Sequence, residues 1–151
     1  MKNLILLASF CLIGFNASAS IVPSSNSNDS WTLRLDGADA ATMLKGLQAM
    51  KNGTTQSSIT VTQFECHQGM SPNDRACMAN LGDYISGAID GDLAVQVAKV
   101  YQQAAQVIFA NPANRLKANQ GDMIEASVQC QLAGSTVGCM IKFAPASAGG
   151  F

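Results

Sequence analysis

Charged side chains are scarce. Lys and Arg number 9 and Asp and Glu 10 among 151 residues, so 13% of the chain is charged, about half the share usual in globular proteins. A net charge of −1, with no run of Lys or Arg to break the average, supplies no field for gripping phosphates and argues against nucleic acid as a partner. The chain has a single histidine, His67, and lacks C-x-x-C, G-x-S-x-G, H-E-x-x-H and S-x-x-K, the spaced patterns of thiol oxidoreductases, serine hydrolases and zinc proteases. Gly37, Gly46 and Gly53 do not form a phosphate loop. Beyond residue 19 no apolar run approaches the ~18 residues of a membrane span. No internal repeat and no interdomain linker is read, and the length suits one domain.

Apolar residues are plentiful at 48%, which allows a core and excludes a disordered chain. The first 19 residues carry a charged end at Lys2, an apolar run from Leu4 to Phe15, and Ala17-Ser18-Ala19. That is the pattern of a bacterial signal peptide cleaved after Ala19. Cys11 leaves with the leader, so four cysteines remain and the expected location is the periplasm or the exterior, where disulfides persist. Residues 20–30 are mostly Ser and Asn with Pro23 and read as a flexible arm. Residues 31–144 read as a single disulfide-braced domain, and 145–151 as a flexible tail.

Trp31, Leu33 and Leu35 alternate with polar residues as in a strand with one buried face. Asp36 or Asp39 is expected to cap a helix carrying Ala40, Met43, Leu44, Leu47 and Met50, stopped by Asn52-Gly53. Ile59 to Cys66 is rich in β-branched residues, but its apolar positions change face part way, which predicts a bulge or a strand buried on both sides. Ser71-Pro72 signals a helix start, and Ala76, Cys77, Leu81, Tyr84, Ile85 and Ala88 follow at helical spacing. Asp90-Gly91-Asp92 breaks or restarts that helix, whose apolar stripe runs from Leu93 to Ile108 until Asn111-Pro112 ends it. Asp90-Gly91-Asp92 lacks the further ligands of a calcium loop.

Ile124 to Leu132 and Val137 to Phe143 alternate on either side of Ala133-Gly134-Ser135-Thr136. A hairpin closing there pairs Leu132 with Val137, Cys130 with Cys139, Val128 with Ile141 and Ala126 with Phe143, all on one face. The expected fold is a two-layer α+β domain, a small mixed or antiparallel sheet in the order β-α-β-α(α)-β-β with helices on one face and a C-terminal hairpin.

Four cysteines allow three pairings, and the local ones, Cys66–Cys77 and Cys130–Cys139, disturb the expected elements least. Their spacings exceed the two to four residues a zinc knuckle places between thiolates, so no metal and no cofactor is expected. His67, with Ser71 as nucleophile and Asp74 or Glu65 to orient it, is the candidate catalytic group. A solvated loop residue between bridged cysteines is its plainer account. The resulting expectation is a small exported protein of non-catalytic type, binding another envelope or extracellular protein as an accessory factor or inhibitor. A hydrolase using His67 as general base and a subunit of an envelope or secretion assembly are the alternatives. The loop from His67 to Asp74 and the sheet face bearing Thr60 and Thr62 are the expected binding surfaces; the oligomeric state is open.

Overall fold

A computed structural model describes residues 21–26, 30–71, 73–118 and 124–145. The leader 1–19 and the tail beyond Pro145 lie outside the described residues. Among the described residues, seven strands and three helices follow in the order β1 (Ile21–Asn26), β2 (Trp31–Asp36), α1 (Gly37–Met50), β3 (Ser58–Gln68), β4 (Arg75–Asn80), β5 (Ser86–Asp90), α2 (Gly91–Phe109), α3 (Pro112–Ala118), β6 (Ile124–Ala133) and β7 (Thr136–Pro145). The strands form one antiparallel sheet in the order β1-β2-β7-β6-β3-β4-β5. The fold is α+β, and its last two strands form a hairpin with Cys130 facing Cys139.

α1 and α2 cover one face. Leu33, Leu35, Ile59, Val61, Val128 and Ile141 point into that layer and are fully buried, against Met43 and Leu47 of α1 and Val97 and Ile108 of α2. Burying each such side chain is worth roughly 1.5–3 kcal/mol, which is what the period-2 and period-3.6 patterns of these segments achieve. The helices approach closely at Gly46, where a Cβ would come within 2.6 Å of a Val97 methyl. A row of rings lines the far end of the core: Trp31 on Phe109 (5.4 Å between centroids), Phe109 on Phe143 (5.7 Å), Phe143 on Tyr101 (5.8 Å) and Tyr101 on Phe64 (5.2 Å).

Three expectations need correction. Residues 21–26 of the supposed arm are strand β1, paired antiparallel with β2 from Ile21↔Leu35 to Asn26↔Trp31; a polar segment can be ordered when a neighbouring strand edge supplies its backbone partners. The helix expected from Ser71-Pro72 to Ala88 is instead the hairpin β4–β5, so the order of elements becomes β-β-α-β-β-β-α-α-β-β. Gly82, Asp83 and Tyr84 all have positive φ (97°, 51° and 62°), which a right-handed helix forbids. Asn80 fixes the turn by accepting the Gly82 N–H at 2.8 Å. Asp36, one of the two expected caps, makes no cap bond with its side chain; it accepts from Arg34 Nε at 3.0 Å instead. Asn111-Pro112 both stops α2 and starts α3, since Asn111 Oδ1 accepts the Ala113 N–H at 3.0 Å beside a proline at the first helical position.

The reading of no internal repeat is also corrected. Residues 31–80 and 86–145 each run strand, helix, then bridged hairpin. Leu35-Asp36-Gly37 and Ile89-Asp90-Gly91 each end a strand with an extended Asp and open a helix with a glycine at positive φ, 62° and 66°. Leu35 pairs with Cys139 of the other half, and Ile89 with Cys77 of the other half. The pairing scheme is unchanged when the halves are exchanged, as for a twofold axis between the central strands β3 and β6. Little side-chain identity survives outside the Asp-Gly and Cys-Met pairs, so hydrophobic period alone did not expose the repeat. β1 and α3 stand outside it.

Candidate functional site

The change of face expected in β3 is a bulge: pairing with β6 shifts register between Val61 and Phe64, and pairing with β4 between Thr62 and Glu65. Gln63, at φ 50°, is the extra residue that makes the shift. Beyond it the end of β3 continues alongside β4, and a recess of about 560 Å³ opens toward the start of β6. Phe64 and the half-buried Tyr101 of α2 provide apolar lining. Glu65, His67, Gln63 and Glu125 supply polar lining, and Met78, Asn80 and Ser86 come from the β4–β5 hairpin.

The recess is acidic and partly ordered by its own contacts. His67 Nε2 lies 3.2 Å from Glu65 Oε1, both side chains more than half exposed. Gln63 Nε2 donates to Glu125 Oε1 at 3.5 Å. Tyr101 ionises above the ordinary tyrosine value, first because burial disfavours the phenolate and then because the Glu65 carboxylate repels it. Its hydroxyl therefore stays a neutral donor throughout the physiological range. Among the described residues no group of three His, Cys, Asp or Glu is placed to hold a metal, and no helix is long and apolar enough to cross a membrane.

The expected catalytic group is not assembled. His67 is in the recess, but Ser71 and Asp74 sit in the β3–β4 turn, where Asp74 N–H donates to the Ser71 carbonyl at 3.0 Å and the Asp74 carbonyl accepts from Gly69 at 2.6 Å. Neither lines the recess, and neither is hydrogen-bonded to His67. Thr60 and Thr62 lie on the sheet face opposite the helices, Thr60 exposed and Thr62 half-buried. Tyr101, Gln63 and Glu125 escaped sequence reasoning. Tyr101 belongs to the apolar stripe of α2, and only the bulge brings Gln63 opposite Glu125.

Cys66 is bonded to Cys77 and Cys130 to Cys139, with Cα separations of 4.0 and 4.1 Å. Those separations match directly opposed residues that share no ladder hydrogen bonds, the closer of the two antiparallel pair types. The first bridge joins the end of β3 to β4 beside the recess, so it fixes the recess wall rather than offering a reactive thiol. No family model matches this chain, and no curated protein and no solved structure matches it.

Proposed function

We propose that this chain is an exported, non-catalytic binding protein, an accessory factor or inhibitor that works by surface contact with another protein of the bacterial envelope or exterior. The signal-peptide pattern of residues 1–19 and two bridges are compatible with export. The observation that carries the binding role is the recess at the β3 bulge. An aromatic floor rimmed by carboxylate and amide side chains suits a partner's cationic or amide-bearing side chain.

The test is affinity capture on the immobilised, oxidised protein from culture fluid and periplasmic extract of the native organism. One partner is expected to be retained by the native chain and weakened at least about tenfold by the Glu65→Ala/Glu125→Ala double variant. Equal retention by the variant removes the recess from the proposal. Absence of any specific partner from both fluids removes the binding role.

A hydrolase reading draws on the contact between His67 and Glu65, since a carboxylate can orient an imidazole base. With Ser71 held in the turn, the attacking group in that reading is a water. Hydrolysis of any substrate in a broad panel, abolished by His67→Ala, favours it over the binding role.

A further inference from the structure

The two edges of the sheet are built differently. Cys139 shares no ladder bonds with Cys130, so its backbone groups face β2 and bond Leu35. The alternation of antiparallel pairing then leaves Leu35 and Leu33 unbonded toward β1, and turns the nitrogen of Pro23, opposite Leu33, away from the sheet. The outward position at Pro23 thus lacks an N–H, and the strand shifts register between Pro23 and Ser25. A proline and a bulge are the devices by which natural sheets block edge pairing.

The β5 edge carries neither device. Leu81 N–H bonds the Ile85 carbonyl at 2.8 Å, and the same parity aims the Gly87 and Ile89 backbone groups at β4. Those of Ser86, Ala88 and Asp90 therefore point outward, where the sheet has no further strand among the described residues. In the repeat β5 is the counterpart of β2, whose outer edge is taken by β1, so the geometry of this edge is one that accepts a strand. Beside it stand the most exposed large apolar side chains of the hairpin: Tyr84, fully exposed and in the left-handed region, Ile85 at 59% and Met78 at 40%. Met78 is paired with the exposed Ala88. A left-handed tyrosine costs energy that its own surroundings do not visibly recover. Asp83 stands at one end of the strand, Asp90 and Asp92 at the other.

We infer that the free edge of β5 receives an extended segment of a partner polypeptide as an eighth strand, with alternate apolar side chains over Met78 and Ala88 and basic residues toward Asp83 and Asp90. The backbone groups of Ser86 and Ala88 supply its ladder bonds. A second copy of this chain fits less well, because antiparallel pairing of two β5 strands about Ala88 brings the Asp83 end of one copy to the Asp92 end of the other. The inference rests on the binding role proposed above and gives it a surface and a partner chemistry.

The probe is a short synthetic peptide alternating lysine and valine, added to the full oxidised protein. It is followed by fluorescence anisotropy and by hydrogen exchange of individual amides. Binding is expected, with exchange at Ser86 and Ala88 slowed at least about tenfold. Affinity is expected to fall at least about tenfold for a peptide N-methylated on alternate nitrogens and for one with glutamate in place of lysine. Ala88→Pro, which deletes an outward donor, abolishes binding; if that variant does not fold, the N-methylated peptide makes the same test from the other side. No binding, equal binding of the methylated peptide, protection centred on β1 or Glu65, or self-association that protects Ser86 and Ala88 without peptide each overturns the inference. If the peptide fails while partner capture through Glu65 and Glu125 persists, the edge is wrong and the binding role stands. Failure of both sinks the role itself.

Discussion

The bridged sulfur of Cys139 lies 3.4 Å from the carbonyl oxygen of Ala40, so the hairpin of the second half is seated on the helix of the first. The converse contact places Cys77 Sγ 3.7 Å from the carbonyl of Ala94, seating the hairpin of the first half on the helix of the second. Each half thus completes the core of the other. A single βαββ unit would leave its helix face and its bridge uncovered, which is the physical reason to expect one cooperative domain rather than two.

Removing either bridge should be costly. Short closed loops of this kind contribute about 2–3 kcal/mol in the chain-entropy account, a large part of the ~5–15 kcal/mol that holds a domain together. Cys130→Ala/Cys139→Ala and Cys66→Ala/Cys77→Ala are each expected to lower the denaturation midpoint, measured by urea titration. Cys130 and Cys139 are fully buried, whereas Cys66 is only half-buried. Graded reduction with alkylation and mass spectrometry should therefore open Cys66–Cys77 first.

Gly37 and Gly91 offer a test of the repeat. Both sit at positive φ with open space where a Cβ would stand, so Gly→Ala at either position introduces backbone strain without a clash. Each is expected to cost about 1 kcal/mol, and the two losses should be similar and additive by thermal or urea unfolding. A neutral effect at one position and a loss at the other would show that the two helix starts are not equivalent.

Gly46→Ala should destabilise despite alanine's better helix propensity, worth about 1 kcal/mol in an exposed helix. The new methyl would sit 2.6 Å from a Val97 methyl, and a valine in a helix has little rotamer freedom to yield. Overpacking of this kind costs about 1–3 kcal/mol. In Val97→Ala the partner methyls are gone, so adding Gly46→Ala to that background should be neutral or stabilising. A double-mutant cycle by urea unfolding reads the difference.

Tyr101 predicts an alkaline effect. Its folded pKa is raised, chiefly by burial and secondarily by Glu65. The neutral phenol thus contributes stability that is fully present below the ordinary tyrosine value near 10 and is lost as pH rises through the folded value. Glu65→Gln should lower the Tyr101 midpoint only part of the way, because the larger cause remains. Ultraviolet titration of the phenolate measures both effects.

The bulge in β3 was legible because Ile59 and Val61 share a parity that Phe64 breaks. The C-terminal hairpin was legible because a slip of one residue would have exposed its whole apolar set. The β4–β5 hairpin was not, since Cys77, Leu81, Tyr84 and Ala88 satisfy helical spacing on their own. The signals against a helix, Cys77 alternating with Ala79 and the Asn80-Leu81-Gly82-Asp83 turn, are short-range and weaker than a recurring apolar period. The recess was invisible, because Gln63, Tyr101 and Glu125 meet only once three elements are packed.

Sequence alone determined the α+β class, the limits of α1, the helical stripe of α2 and the register of β6 on β7, because each follows from the period of its own apolar residues and from turn chemistry a few residues away. Tertiary structure decided that β4 and β5 are strands, that β1 closes one edge while β5 is left open, and that the two halves exchange hairpins and helices. Those outcomes depend on which backbone edges and side-chain faces find partners far along the chain, and no local window contains that information.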